Sequence, residues 1–172
     1  MESLLVYKPL YKQEELSNNE DSSTVTFAKW AGGKTQLISQ LKPLFPKEFE
    51  RYFEPFVGSG AVFFYIAQNY KLKCVMLSDI NKELINAYKI IRSNVNDLIK
   101  TLRKHVKKHT VTPTPYYYRI RSQDVTCMSA IERAARFIYL NKTCYNGLYR
   151  VNAKGKFNVP LGKLNGSAIL QQ

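Results

Sequence analysis

The sequence predicts an α/β fold, and three observations predict it. An aromatic-rich run, Arg51 to Val57, reads as a buried strand and leads into Gly58-Ser59-Gly60 and then an apolar stretch at helical spacing, Ala61 to Tyr70. A second apolar run, Lys73 to Ser78, ends at Asp79, giving a strand, glycine turn, helix, strand and terminal acid in that order. Beyond it lie about eighty residues of helical periodicity and one turn-centred hairpin pattern, with no further strand–helix alternation.

The elements follow in order. Residues 1–23 mix charge, Ser and Asn without periodicity and read as a flexible lead-in. Thr24 to Phe27 is a short β-branched strand, and Lys29-Trp30-Ala31-Gly32-Gly33-Lys34 a loop. Leu37, Ile38, Leu41 and Leu44 predict a helix over 35–45, closed by Pro46. After the strand–turn–helix–strand unit, helices are expected at about 82–92 and 95–108. Thr112-Pro113-Thr114-Pro115 marks a subdomain boundary, followed by helices at about 115–122 and 129–140. Tyr149 to Val159, centred on Asn152-Ala153-Lys154-Gly155, is a β-hairpin.

Charge narrows the partners. The chain carries 26 Lys and Arg against 13 Asp and Glu, a net +13. Nine basic residues and one acid, Asp97, lie between Lys89 and Arg121, and no acid follows Glu132, although Arg133, Arg136, Lys142, Arg150, Lys154, Lys156 and Lys163 do. A solvated surface mixes both signs, so the second half is expected to face a polyanion, nucleic acid first and acidic membrane second. Cys74, Cys127 and Cys144 have no CxxC spacing and no N-terminal signal segment accompanies them, which fits a reduced, cytoplasmic protein. No apolar run reaches the length of a membrane span. His105 and His109 share a helical face, but Lys104, Lys107 and Lys108 would repel a cation there, so no metal site is expected.

Gly58 and Gly60 allow close backbone approach to a ligand, and an acid about twenty residues on can bind both ribose hydroxyls, as an adenosyl cofactor needs. The bland alternative is a turn that merely packs. Phe63 stands where a dinucleotide fingerprint has its third glycine, which favours a cofactor without phosphate, S-adenosylmethionine. Ala28 to Thr35 imitates a phosphate-binding P-loop, so an NTPase is a rival. Ala28 replaces its first glycine, and Trp30 fills its small-residue cradle.

Phe27 to Lys34, Phe53 to Phe63 and Ser78-Asp79-Ile80-Asn81 resemble, in order, the opening motifs of Dam-type (class D12) DNA adenine-N6 methyltransferases. Leu140-Asn141-Lys142, Tyr145 to Arg150 and Gly155 to Gly162 resemble that family's DNA-recognition segment. The resemblance implies an incomplete Rossmann-like methyltransferase core over 24–112, with a helical and hairpin recognition subdomain over 113–172. It implies methyl transfer from S-adenosylmethionine to adenine N6 in double-stranded DNA, with a GATC-like site. Trp30, Lys34, Phe56, Gly58, Gly60 and Asp79 would form the cofactor site. Lys29 would reach a guanine, Tyr145 and Asn146 would act where the target base leaves the stack, and Leu148, Arg150 and Pro160 would read flanking bases. Lys154 and Lys156 would meet phosphates. Each has a plainer alternative: Trp30 as core packing, Tyr145 as a buried aromatic, the two lysines as a charged hairpin tip.

The family's Asp-Pro-Pro-Tyr motif, which holds the adenine amino group, is absent, because none of the seven prolines follows an Asp or another Pro. These residues therefore contain no catalytic group of that kind. A fragment, a split enzyme with a second subunit, or a non-catalytic DNA-binding remnant is expected, the chain alone being inactive.

Overall fold

The computed structural model describes residues 4–7 and 26–163, which form an α/β arrangement in two compact units. Of the described residues, the first unit comprises 4–7, 26–27 and 32–82, the second 28–31 and 83–163.

The first unit is built on a three-stranded sheet. Strands β1 (Leu4–Tyr7), β2 (Arg51–Glu54) and β3 (Cys74–Ser78) are ordered β1-β3-β2. β2 runs parallel to β3, pairing Tyr52 with Val75 and Glu54 with Leu77, while β1 runs antiparallel to β3. Parallel neighbours need a crossover, which helix α2 (Ala61–Asn69) supplies, burying Ala61, Val62 and Ile66. Val75 and Leu77 of β3 are buried.

Several expectations are corrected here. Leu4–Tyr7 is a strand rather than part of a flexible lead-in; the remainder of that 1–23 segment lies outside the described residues. Thr26 and Phe27 are not in a strand, and Thr24 and Val25 lie outside the described residues. The expected helix over 35–45 is broken into a 3-10 turn Lys34–Leu37, a single α-turn α1 (Ile38–Leu41) and a 3-10 turn Lys42–Leu44. Pro43 lacks an N–H and restricts the residue before it, and exposed Leu37 and Leu44 contribute little burial to hold a longer helix. β2 stops at Glu54 because Pro55 cannot donate to a ladder. Its Phe53 is exposed, so the strand is an edge among the described residues rather than a buried centre.

The second unit is helical. α3 (Lys82–Ser93), α4 (Val95–Val111), α5 (Pro113–Ser122) and α6 (Ala130–Thr143) close on a core that includes Leu98, Leu102, Tyr117, Ile120, Tyr139 and Leu140. Thr112–Pro115 does not divide two compact units, since α4 packs on both α5 and α6. Pro113 instead begins α5, where its missing N–H is no loss. α6 starts with a capping box: Ser129 accepts from the Glu132 N–H, and Glu132 accepts from the Ser129 N–H. The hairpin is present as an antiparallel bridge, Val151 to Phe157, without extended strands.

Two of the counted cations are structural. Arg136 is buried, donating to the Ile120 and Arg121 carbonyls at 3.0 and 2.8 Å, at the C-terminal end of α5 where a helix favours positive charge. Arg133 pairs with Glu83. Those two are absorbed by the fold rather than offered to a partner.

Candidate cofactor and nucleic-acid sites

In the first unit the glycine turn and the terminal acid meet. Gly58 and Gly60 take φ of 52° and 78°, the left-handed region that a side chain would strain. The Val57 N–H donates to the Ser78 carbonyl at 2.9 Å, joining the turn to the end of β3. Asp79, half-buried, accepts from the Gly58 N–H on Oδ2 at 3.1 Å and from the Asn81 N–H on Oδ1 at 2.9 Å. Ser78 Oγ donates to the Pro55 carbonyl at 2.9 Å. The acid is thus held against the glycine turn by backbone donors, and each carboxylate oxygen has more than one acceptor position.

Apolar surface flanks this turn on the chain. Phe56 is 75% exposed and Ile80 is 90% exposed, unusual for large apolar side chains beside a buried turn. Sequence spacing does not single out Ile80, although its place as an apolar residue directly after the strand-terminal acid is a signal. Nor does it single out Glu54. Glu54 accepts from the Tyr52 hydroxyl at 2.8 Å, and burial raises its carboxyl above the usual range while the Tyr52 hydrogen bond, Lys34 and the Phe63 N–H pull it down. Lys34 itself is exposed.

The second unit gathers residues far apart in sequence. Asn141, 1% exposed, accepts from the Lys29 N–H at 2.7 Å and donates to the Lys29 carbonyl at 2.8 Å and the Gly147 carbonyl at 3.0 Å. Its side chain therefore pairs with the Lys29 backbone as a neighbouring strand would. Residues 28–31 are drawn into this unit, next to the Tyr145–Gly147 turn. Gly147 has φ of 66°, and a Cβ there would lie 2.6 Å from the Lys29 side chain, so only glycine fits. Trp30, half-buried, stacks on Tyr149 at 5.7 Å between centroids and packs on Phe137 at 6.2 Å, so its packing role is real.

The turn and hairpin are tied down from several sides. The Tyr145 N–H donates to the Pro160 carbonyl at 2.9 Å, and the Gly162 N–H to the Thr143 carbonyl at 2.9 Å. Tyr117 donates its hydroxyl to the Val159 carbonyl at 2.9 Å. At the tip, Asn152 Oδ1 accepts from the Lys154 and Lys156 N–H groups, both at 3.0 Å. Arg150 Nε donates to Asn158 Oδ1 at 2.9 Å, which orients the guanidinium. Lys29, Tyr145, Asn146, Leu148, Arg150, Lys154, Lys156 and Pro160 are all exposed. Tyr145 is 51% exposed, which rules out the buried-aromatic alternative. Cys144 beside it is buried, and burial pushes its thiol up to about 11.

His105 and His109 face inward, not toward a cation. Their Nδ1 atoms lie 2.7 Å from the Tyr116 hydroxyl and 2.8 Å from the Tyr139 hydroxyl. Among the described residues no cluster of His, Cys, Asp and Glu could hold a metal ion, and no helix is long and apolar enough to cross a membrane.

The first unit thus carries a glycine turn fixed to a strand-terminal acid, and the second an exposed basic turn and hairpin. The D12 class N6 adenine-specific DNA methyltransferase family matches residues 30–169, and the chain belongs to that family. It is 43% identical to the type II methyltransferase M.MjaIII of Methanocaldococcus jannaschii, over 85% of this chain and 55% of that protein. It is 39% identical to the type II methyltransferase M1.LlaDCHI of Lactococcus lactis subsp. cremoris, over 85% of this chain and 50% of the relative. The DNA adenine methylase of Escherichia coli is 38% identical over 80% of this chain and 47% of its own length. The chain spans about half the length of these curated relatives.

Proposed function

We propose that this chain supplies cofactor-binding and DNA-reading parts of an enzyme that methylates adenine N6 in duplex DNA, with S-adenosylmethionine as donor. The observation that carries the DNA reading is the Asn141 clamp, which brings Lys29 beside the Tyr145–Gly147 turn while leaving the candidate side chains exposed. The P-loop rival is disfavoured by the family membership and by the division of its stretch between two compact units.

For the cofactor, the fit rests on the positive-φ glycine turn and on Asp79 fixed beside it. Gly58 and Gly60 would let the backbone approach closely, Asp79 would accept from ribose hydroxyls, and Phe56 and Ile80 would offer apolar surface to a base. Trp30 and Lys34 join the site on the family resemblance alone. When bound, S-adenosylmethionine supplies an electrophilic methyl group. For the DNA, Lys29 would donate to guanine O6 and N7, and Leu148, Arg150 and Pro160 would read flanking bases. Tyr145 would replace the stacking lost when the target adenine leaves the duplex, with Asn146 beside it. Lys154 and Lys156 would neutralise phosphates.

The acceptor for the adenine amino group has no counterpart among these 172 residues, which contain no Asp-Pro-Pro-Tyr motif. In an active enzyme it would come from other residues, on a second polypeptide or a longer chain; a non-catalytic DNA-binding remnant is the alternative, and the 172-residue protein alone should transfer no methyl group. The test is a competition titration of GATC-containing against scrambled duplexes. Preference for the GATC duplex, weakened at that site by Arg150→Ala, is expected; equal weakening on both would remove the base-reading role. Tritium incorporation from S-adenosylmethionine into DNA by this chain alone would overturn the inactivity.

A further inference from the structure

The proposed DNA-reading residues leave unused the most concentrated charge of the second unit, on α4. Lys100, Arg103, Lys104 and Lys107 follow one another at helical i, i+3, i+4 and i+7 positions, and all are exposed. Leu98, Leu102 and His109 are buried on the opposite face. Asp97 is the one acid in α4 and α5, and it pairs with Lys100 at 3.0 Å. Among the described residues Arg103, Lys104 and Lys107 make no ion pair, although Glu132 lies close enough to feel Lys104. Like charges three and four positions apart destabilise a helix, so such a run is better tolerated opposite a polyanion than opposite water.

We propose that the outward face of α4 is a second, sequence-independent surface for the phosphate backbone of double-stranded DNA. It rests on the DNA-binding reading above but uses none of the same side chains. From Lys100 to Lys107 the face is about 10 Å long, the rise of roughly three nucleotides along one strand. An acidic membrane is the weaker partner for this face. A surface-lying helix must insert apolar side chains among the lipids, and the apolar face of α4 is already buried in its own unit.

The test compares the full chain with an Arg103→Gln, Lys104→Gln, Lys107→Gln variant on GATC-containing and scrambled 20-base-pair duplexes. Three lost phosphate contacts should flatten the plot of log affinity against log salt by about 2.7, equally on both duplexes. The affinity lost between 50 and 200 mM salt would then shrink roughly 40-fold. The charge-keeping Arg103→Lys, Lys104→Arg, Lys107→Arg variant should retain the original slope. An unchanged slope in the Gln variant, with duplex binding intact, overturns the α4 surface alone. Absence of any duplex binding by the unaltered chain overturns both this surface and the DNA reading. Vesicles rich in phosphatidylserine serve as the third arm; loss of vesicle binding with an unchanged duplex slope would assign the face to membrane and refute the proposal.

Discussion

Replacing Asn141 by Ala should damage both stability and DNA binding, and the structure sets the size of the effect. The amide makes three hydrogen bonds of 2.7–3.0 Å from a position that is 1% exposed. Its orientation is forced, since only Oδ1 can accept the Lys29 N–H and only Nδ2 can donate to two carbonyls. Each bond contributes about 1 kcal/mol net, and a buried partner left unpaired costs about 1–3 kcal/mol. Lys29 is itself exposed, so water can replace part of this, and the expected loss is about 2–4 kcal/mol. Asn141→Asp is the sharper perturbation. It keeps the acceptor for the Lys29 N–H but loses both donors, and it turns a negative oxygen toward the Lys29 and Gly147 carbonyls. At pH 7 it should be at least as damaging as Ala, recovering partly in acid as the carboxyl regains a proton. Urea unfolding measures the stability term. Duplex binding under conditions where each variant stays folded measures the positioning term, with preference for the GATC duplex falling because Lys29 and the Tyr145–Gly147 turn lose their common tether. If Asn141→Ala unfolds within about 1 kcal/mol of the parent and keeps its sequence preference, the clamp does not position these residues.

Three further outcomes follow from the geometry. Asp79→Ala should weaken S-adenosylmethionine binding by about 1.5–3 kcal/mol, the worth of a charge-assisted hydrogen bond, and unchanged affinity by calorimetry would reject that site. Burial, with the charge of Lys108, holds His105 down at about 4, and burial also lowers His109. The unfolded chain therefore binds more protons in the window between about 6.5 and 4, and stability present above pH 6.5 is lost as pH falls. For His105 alone that is about 2 kcal/mol by pH 5, so a urea midpoint that stays flat from pH 7 to 5, or does not flatten in His105→Gln, contradicts the buried neutral imidazole. Finally, exposed Cys127 should react with a thiol reagent at pH 8 while buried Cys144, pushed up to about 11, does not until the chain unfolds; peptide mapping after labelling distinguishes the two.

Much of the local architecture was legible in the sequence because it depends on neighbours in the chain. The β2–glycine turn–α2–β3 unit, its ending at Asp79, and the order of α3 to α6 are written in periodicity and in the residues that interrupt it. Glycine at 58 and 60 announces a backbone conformation whatever surrounds it. The Dam-type resemblance likewise rests on residues adjacent in sequence. The errors came where partners from afar decide. Leu4–Tyr7 became a strand only because β3 offers it an edge, and a four-residue segment has no period of its own to read. The helix expected over 35–45 failed because amphipathic spacing does not say whether a face will be covered, and Leu37 and Leu44 remain exposed.

The division of the charge also needed the tertiary structure. Counting cations treats Arg136 and Arg103 alike, yet one is folded onto the C-terminal carbonyls of α5 and the other stands in solvent. The same holds for Lys29. Sequence placed it in a loop 112 residues from Asn141, and only folding joins them, through hydrogen bonds whose geometry no linear pattern encodes. Short-range rules of sterics and periodicity fix what a segment is; burial, and the pairing of polar groups that burial demands, fix what it stands beside.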